Sequence, residues 1–460
     1  MAAMRIDYEK FASYSAPAPR YTSYPTAPEF RSDWTELDFA ERIAASNASK
    51  RALSLYFHLP FCRSACYFCG CNVVYTSKEE LKDRYIDYLK REIELIAKTL
   101  DFKREVRQIH FGGGTPTFFN AAQLEKIIAL IRSNFPNIQK DAEFGVEIDP
   151  RFFTRDQMKV FAQGGVNRVS FGVQDFAPKV QEAMHRIQPF SITQEAVNIA
   201  REGGIKSVNI DLIYGLPFQN LESFKETLNL SLTLSPDRVA LFNYAHVPWL
   251  KKTMRKLDET ALPNAAEKLK ILKLAIETFE NAGLKMIGMD HFARSNDELY
   301  IALQNGALRR NFQGYTTHSE CDLFGFGVTS ISEGVDFYAQ NFRDLPSYEA
   351  ALDTQKAPVF RGISLDFDDR LRKKVIMTLM SVFSLDFAAI ESEFAIDFEE
   401  YFAPELAAIG ALEDDGLLAI GDRKIVASET GRLLIRNIAM NFDKYLKNSG
   451  SLERRFSKSV

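Results

Sequence analysis

The chain has 460 residues, 46% of them in the hydrophobic set, which is enough for one large domain or two ordinary ones. Its formal net charge is −4, so no overall basic field draws it to nucleic acid or to an anionic membrane. No stretch reaches the roughly eighteen apolar residues of a membrane span, and the opening residues lack the apolar core of a signal peptide, so a cytoplasmic protein is expected.

In chain order, the Pro- and Tyr-rich "APAPRYTSYPTAPEF" is too irregular for a strand or helix and too aromatic for a disordered tail, and predicts an N-terminal arm over residues 1–48. From about residue 50, short β-rich runs alternate with amphipathic helical stretches. The predicted strands are Leu53–Leu59, Val106–Phe111, Glu143–Ile148, Arg168–Val173, Ser207–Ile213 and Arg238–Tyr244. A helix from Ser77 to Leu100 is expected to open on a Ser77/Glu80 capping box, and a second on Asn120/Gln123. Further helices are read near Thr154–Gln163, Ser191–Ala200, Leu221–Leu234 and Asn264–Ala282. Consecutive β–α units predict a parallel sheet with right-handed crossovers. No Gly-x-Gly-x-x-Gly follows the first strand, which favours a β/α barrel, complete or open, with its site at the carboxyl ends of the strands. This barrel region is placed at 49–345. Residues 346–460 read as a mainly helical domain in which Leu417–Arg432 resembles a winged helix; without a dense basic stripe, packing is expected there instead of DNA binding.

Four of the five cysteines fall within "FCRSACYFCGC", Phe61–Cys71. A secreted disulfide framework would spread them apart. The fifth, Cys321, reads as an ordinary free thiol. Structural zinc usually takes paired C-x2-C units or distant histidines, whereas Cys62, Cys66 and Cys69 form a single C-x3-C-x2-C triplet. Three thiolates in a short loop suit a [4Fe–4S] cubane with one iron left open to a small chelating molecule. A fourth thiolate would close that vacancy, so Cys71 is expected not to be a ligand, although a buried free cysteine is the plainer alternative. "HFGGGTPT" follows the second strand, and its glycines leave backbone exposed at the strand end. Glu147, Gln174 and Asp211 end the third, fourth and fifth strands, so barrel geometry points them at the same mouth; helix caps and loop partners are the ordinary alternative.

C-x3-C-x2-C after the first strand of a β/α series, with "YFC" closing it and "HFGGGTPT" beyond, resembles the radical S-adenosylmethionine (SAM) enzymes. The segments "APRYTSYPTA", "CGC", "NIDLIYGLP", "LFNYAHVP", "IGMDHFAR" and "RRNFQGYTT" resemble, within that group, the oxygen-independent coproporphyrinogen III oxidases. The resemblance implies an open, partial parallel β/α barrel of about six units, with an N-terminal arm and a mainly helical C-terminal domain. It implies a [4Fe–4S] cluster on Cys62, Cys66 and Cys69, and S-adenosylmethionine chelated to it beside Tyr56, Gly113 and Glu147. A second S-adenosylmethionine is implied next to Phe68, Gly114, Thr115, Gln174, Arg186, Asp211, Ala245 and Ile331. The implied reaction converts the ring A and B propionates of coproporphyrinogen III to vinyl groups, with Cys71 acting at the substrate. A reductant protein and an electron acceptor are implied as partners of a monomer, with no nucleic acid and no membrane.

Arg20, Arg294 and Arg310 lie in these segments and are candidates for the substrate carboxylates, each equally a structural ion pair. His58 is a candidate for tuning the cluster, His291 for the substrate side, and His110 for packing. The rival reading within the family is a haem-binding, haem-trafficking relative; such relatives lack "PRYTSYP" and the cysteine at Cys71, and both are present here. A simple iron–sulfur electron carrier would need a fourth ligand.

Overall fold

Leu53, Leu55, Phe57 and Leu59 are wholly buried, and Ser54 and His58 on the opposite face are buried too. A strand covered on both sides in this way belongs at the centre of a parallel sheet. In the computed structural model, which describes residues 6–14, 16–318 and 321–446, it does. Six strands follow in order: β1 (Ala52–Leu59), β2 (Val106–Gly113), β3 (Ile138–Ile148), β4 (Arg168–Gln174), β5 (Ser207–Tyr214) and β6 (Arg238–Asn243). Each pairs in parallel with the next, so all their carboxyl ends share one rim. Four later strands extend the sheet on the other side of β1: β7 (Cys321–Phe326), β8 (Ile331–Glu333), β9 (Phe337–Asn341) and β10 (Val359–Ser364). β7 lies parallel to β1, with Tyr56 opposite Gly325, and β8 to β10 run antiparallel. The sheet is open, a partial barrel.

Helices return the chain between strands: α1 (Glu36–Ser49) before β1, then α2 (Glu79–Ile96), α3 (Ala121–Asn134), α4 (Arg155–Gly164), α5 (Pro178–Ala183), α6 (Phe190–Glu202) and α7 (Leu221–Thr233). The Asn120/Gln123 box forms, both of its hydrogen bonds measuring 3.0 Å. The Ser77/Glu80 box does not. α2 starts at Glu79 with Lys78 as an N-cap that makes no side-chain capping bond. The Thr76 hydroxyl instead accepts the Lys78 N–H at 3.1 Å, a local turn that delays the helix.

The compact units do not follow the linear division 1–48, 49–345 and 346–460. One is Phe30–Pro263 with Glu320–Ser364; the other is Met1–Glu29, Asn264–Ser319 and Leu365–Val460. The physical reason lies in the sheet, because β7 to β10 join β1 only after the chain has passed through residues 264–319, whose own core gathers Ile287, Leu299, Leu308 and Tyr315. In this second unit the arm is ordered. Tyr21 and Tyr24 are buried, the Tyr21 hydroxyl donates to Asp443 at 2.9 Å, and Arg436 donates to the Pro19 carbonyl at 3.0 Å. The helix Phe367–Val382 and later short helices flank an antiparallel sheet of Ser384–Asp386, Lys424–Ala427 and Leu418–Gly421, which includes the expected hairpin. Parts of the expected arm and C-terminal domain, residues 1–5, 15 and 447–460, lie outside the described residues. Among the described residues no helix is long and apolar enough to cross a membrane.

One buried carboxylate ties the late strands to the early helices. Glu92 of α2 accepts from the Gly327 N–H (2.6 Å), the Asn341 amide (2.6 Å) and the Tyr348 hydroxyl (2.7 Å). Burial pushes its pKa from the ordinary 4.5 up to about 7 despite these donors. The folded state therefore holds this proton more tightly than the unfolded one. The group's stabilisation is full below pH 4.5 and lost as pH rises through about 7. The loss is on the order of 3 kcal/mol. In urea titrations from about pH 5 to 8, Glu92→Gln should flatten this fall; parallel wild-type and variant curves would refute the assignment.

Candidate active site

The site is built where the end of β2 meets the end of β1. The Gly114 N–H donates to the Leu59 carbonyl at 2.9 Å, and the Thr115 N–H to the Phe61 carbonyl at 3.0 Å. These bonds carry sheet-like pairing past the strand ends into the cysteine loop. A Cβ on Gly112 would lie 2.8 Å from Glu147 Oε1, one on Gly113 2.5 Å from the His58 ring, and one on Gly114 2.6 Å from the Pro60 carbonyl carbon. Gly113 also has φ +112°, a conformation that side-chain-bearing residues avoid.

The cysteine loop is closed at its root. Phe61–Cys62 pairs with Val74–Tyr75, the Val74 N–H donating to Pro60 at 2.8 Å and the Thr76 N–H to Cys62 at 3.1 Å. Its far side is held by the segment after α5. The Tyr67 N–H donates to Met184 (2.9 Å), His185 Nδ1 donates to Ala65 (2.9 Å), and the Tyr67 and His185 rings stack at 4.8 Å. His58 Nε2 faces the Asn72 carbonyl at 3.1 Å, which can only accept, so that nitrogen carries the proton and Nδ1 accepts from the Tyr56 hydroxyl at 3.0 Å. Burial lowers the His58 pKa to about 4, keeping this bridge neutral.

Cys62, Cys66, Cys69 and Cys71 open onto one cavity of about 350 Å³. Of the other expected residues, Phe68, Gly114, Thr115, Glu147, Gln174, Arg186 and Asp211 line it too. Tyr56, Gly113, Ala245 and Ile331 are not in its wall. Tyr56 stacks on His110 at 6.1 Å, while Gly113 donates its N–H to Glu147 at 3.2 Å. Ala245 follows the end of β6, and Ile331 begins β8. Arg20, Arg294, Arg310 and His291 belong to the other compact unit. There Arg20 ion-pairs with Asp290, Arg310 stacks on Tyr315 at 4.9 Å, His291 meets the same ring edge-on, and the Arg294 carbonyl accepts from the Asp297 N–H.

Sequence reasoning missed Asp149, Arg151 and Ser170. Asp149 pairs with Arg151 at 2.7 Å and Arg186 at 3.1 Å, and these guanidiniums stand 3.9 and 3.7 Å from Cys66 Sγ. Burial pushes the Cys62 thiol up to about 12, against a 3.3 Å contact with the Thr115 hydroxyl. The hydrogen bond between the Cys71 and Cys69 thiols lowers Cys69 and raises Cys71, which makes Cys71 the S–H donor. Burial also pushes Asp211 up to about 7, although Ser170 and Asn209 donate to it at 2.9 and 2.7 Å. At Glu147 the same burial is outweighed by the His110 ring and the Gly113 N–H, which hold the carboxyl below its ordinary value.

Among the described residues no three His, Cys, Asp or Glu side chains converge as a single-ion site would require. Three thiols spread along one cavity wall with cations behind them fit a larger, negatively charged iron–sulfur centre.

The Radical SAM superfamily matches residues 56–231, and the HemN C-terminal domain matches residues 365–434. An oxygen-independent coproporphyrinogen III oxidase of Helicobacter pylori is 54% identical, covering 99% of both chains. The Escherichia coli protein of that name is 44% identical over the whole of both chains. The solved structure of coproporphyrinogen III oxidase (HemN) from Escherichia coli, described as a radical SAM enzyme, superposes with a TM-score of 0.91 at 43% identity, covering 96% of this chain and 100% of that one.

Anaerobic reconstitution with iron and sulfide separates the four thiols. Cys62→Ala, Cys66→Ala and Cys69→Ala should each retain less than about a tenth of the wild-type iron, while Cys71→Ser retains nearly all of it. Full iron in Cys66→Ala would remove that residue from the ligand set.

Proposed function

The chain belongs to the oxygen-independent coproporphyrinogen III oxidases of the radical SAM superfamily, and from that premise we propose that its cavity converts the ring A and B propionates of coproporphyrinogen III to vinyl groups, giving protoporphyrinogen IX in haem biosynthesis. The observation that carries the reading is that Cys62, Cys66, Cys69 and Cys71 all open onto one cavity. A [4Fe–4S] cluster with S-adenosylmethionine on its open iron supplies, when bound, a 5′-deoxyadenosyl radical able to take a hydrogen atom from the β-carbon of a propionate. Each propionate then loses carbon dioxide and gives up one electron to an acceptor.

The protein's own part is geometric. Cys62, Cys66 and Cys69 would hold the cluster. Glu147, kept ionised beside the bare glycine backbone, offers a carboxylate to the amino group of S-adenosylmethionine, while Tyr56 and Gly113 support that end through His58 and Glu147. Phe68, Gly114, Thr115, Gln174, Arg186 and Asp211 offer a wall to a second S-adenosylmethionine, to which Ala245 after β6 and Ile331 at the start of β8 are the further contacts proposed. Arg151 and Arg186 are already engaged by Asp149 and face Cys66, which leaves Arg63, on the cavity wall, to a substrate carboxylate. Cys71 presents a protonated thiol to the cavity, suited to hydrogen-atom or proton transfer at the substrate. The same reading makes the protein a cytoplasmic monomer served by a separate reductant protein and an electron acceptor. The haem-trafficking reading is not favoured, because "PRYTSYP" and Cys71 are both present.

The test is anaerobic incubation with coproporphyrinogen III, S-adenosylmethionine and dithionite, followed by chromatography of the oxidised porphyrins. Two vinyl groups should appear per substrate, and recovery of coproporphyrin alone would refute the function. In Cys71→Ser, 5′-deoxyadenosine should still form while protoporphyrin falls at least about tenfold, within the range expected for loss of a proton-transfer group. Normal protoporphyrin yield would return Cys71 to a packing role.

A further inference from the structure

Beyond β6 the chain forms a short hook that no step above uses. Residues 247–257 read VPWLKKTMRKL, with four basic side chains and no carboxylate in a protein whose net charge is −4. At its tip Trp249 is 54% exposed and Leu250 64% exposed, two large apolar side chains side by side in water. The rest of the hook is fixed. Met254 and Leu257 are buried in a cluster against which Tyr67 and Phe68 of the cysteine loop pack. Lys251 donates to the Cys71 carbonyl at 2.8 Å, and the Lys256 ammonium sits 5.1 Å from the centre of the Tyr67 ring. The Arg255 guanidinium closes the turn by donating to the Pro248 carbonyl at 3.0 Å. The nearest carboxylates in sequence are engaged, Asp258 with Thr260 and Glu259 with His246.

We propose that this hook is the docking surface for the reductant, an acidic one-electron carrier protein, which seats its redox edge against Trp249 and Leu250 and its carboxylates against Lys252 and Arg255. An exposed apolar centre rimmed by charge of one sign is the pattern of a transient, electrostatically steered interface. Its position supplies the reason for a carrier. The hook touches the cysteine loop on both sides of Cys69, at Tyr67 and at Cys71, so a protein seated on it stands beside the loop that carries the three ligating thiols. One electron passes inward, the carrier is oxidised by one electron, the centre is reduced by one, and no proton need move.

The inference rests on the proposed function, and its test separates the two. Trp249→Ala/Leu250→Ala and Lys252→Glu are compared with wild type, iron content verifying that the cysteine loop is intact. The probe carrier is an acidic flavodoxin. Its binding is measured by calorimetry in the oxidised form, and it drives turnover in the reduced form. Binding should weaken at least about tenfold, and Lys252→Glu should reduce the salt dependence of the flavodoxin-driven rate. Dithionite-driven formation of 5′-deoxyadenosine should stay within about twofold of wild type. Unchanged flavodoxin binding would overturn the docking site. A dithionite-driven rate that falls in step with the flavodoxin-driven one, with a raised KM for the porphyrinogen, would make the hook a substrate element instead. Absence of dithionite-driven turnover in the wild type would sink the functional reading, not the docking surface, which the calorimetry reads independently.

Discussion

Everything at this site depends on how closely two stretches of backbone approach. The N–H groups of Gly114 and Thr115 bond to the carbonyls of Leu59 and Phe61, at a separation where any Cβ on Gly114 would strike the Pro60 backbone. Backbone cannot yield as a flexible side-chain tip can. The glycine run is thus the condition for the cysteine loop to leave β1 in its observed direction. Gly113 next door leaves room for the His58 ring, and Gly112 leaves room for the Glu147 carboxylate. Three successive missing side chains set the root of the loop, the ring that bridges its far end at Asn72, and the acid on the neighbouring strand.

The polar groups are arranged so that charge is confined to places where it has a counterpart. Asp149 shares two guanidiniums, and those cations face a thiol sulfur, which turns an otherwise costly buried trio into a positive backing for an anionic centre. His58 performs a purely structural bridge and is neutral because it is buried between a hydroxyl and a carbonyl. The division of labour between the four thiols follows from position. Cys66 is backed by cations and Cys62 by a hydroxyl, while Cys71 lies one residue past Gly70 and is exposed to the cavity.

Much of this was legible in the sequence. The six parallel strands fall where β-branched and aromatic runs predicted them, β1 as a nearly continuous apolar run buried on both faces and β4 and β5 as alternations of buried and half-buried positions. The Asn120 box was legible for a local reason, since capping is decided within four residues. The Ser77 box failed for a reason equally local, the competing Thr76 turn. What sequence could not show was long-range. Nothing in β7 announces that it pairs with β1 across more than 250 residues, and so the unit boundaries did not follow the chain. Asp149 and Arg151 sit two and four residues beyond Glu147, inside or beside a quoted motif, yet their meaning appears only when Arg186 and Cys66 arrive from other elements. Ser170 was hidden because its partner Asp211 lies on the adjacent strand.

The placement of β7 also bears on how the molecule is made. On a ribosome, β1 to β6 emerge in the order in which they pair, so that half of the sheet can grow as the chain is synthesised. The open side of β1 must wait, however, until residues beyond 321 have left the exit tunnel. During that interval the most apolar strand of the sheet presents an uncovered hydrogen-bonding edge, and Glu92 lacks all three of its donors. The cysteine loop proposed to hold the cluster already hangs from the end of that edge. The nascent chain should therefore have a long window in which chaperone capture and cluster delivery compete with misassociation, and that window closes only when β7 slides into place.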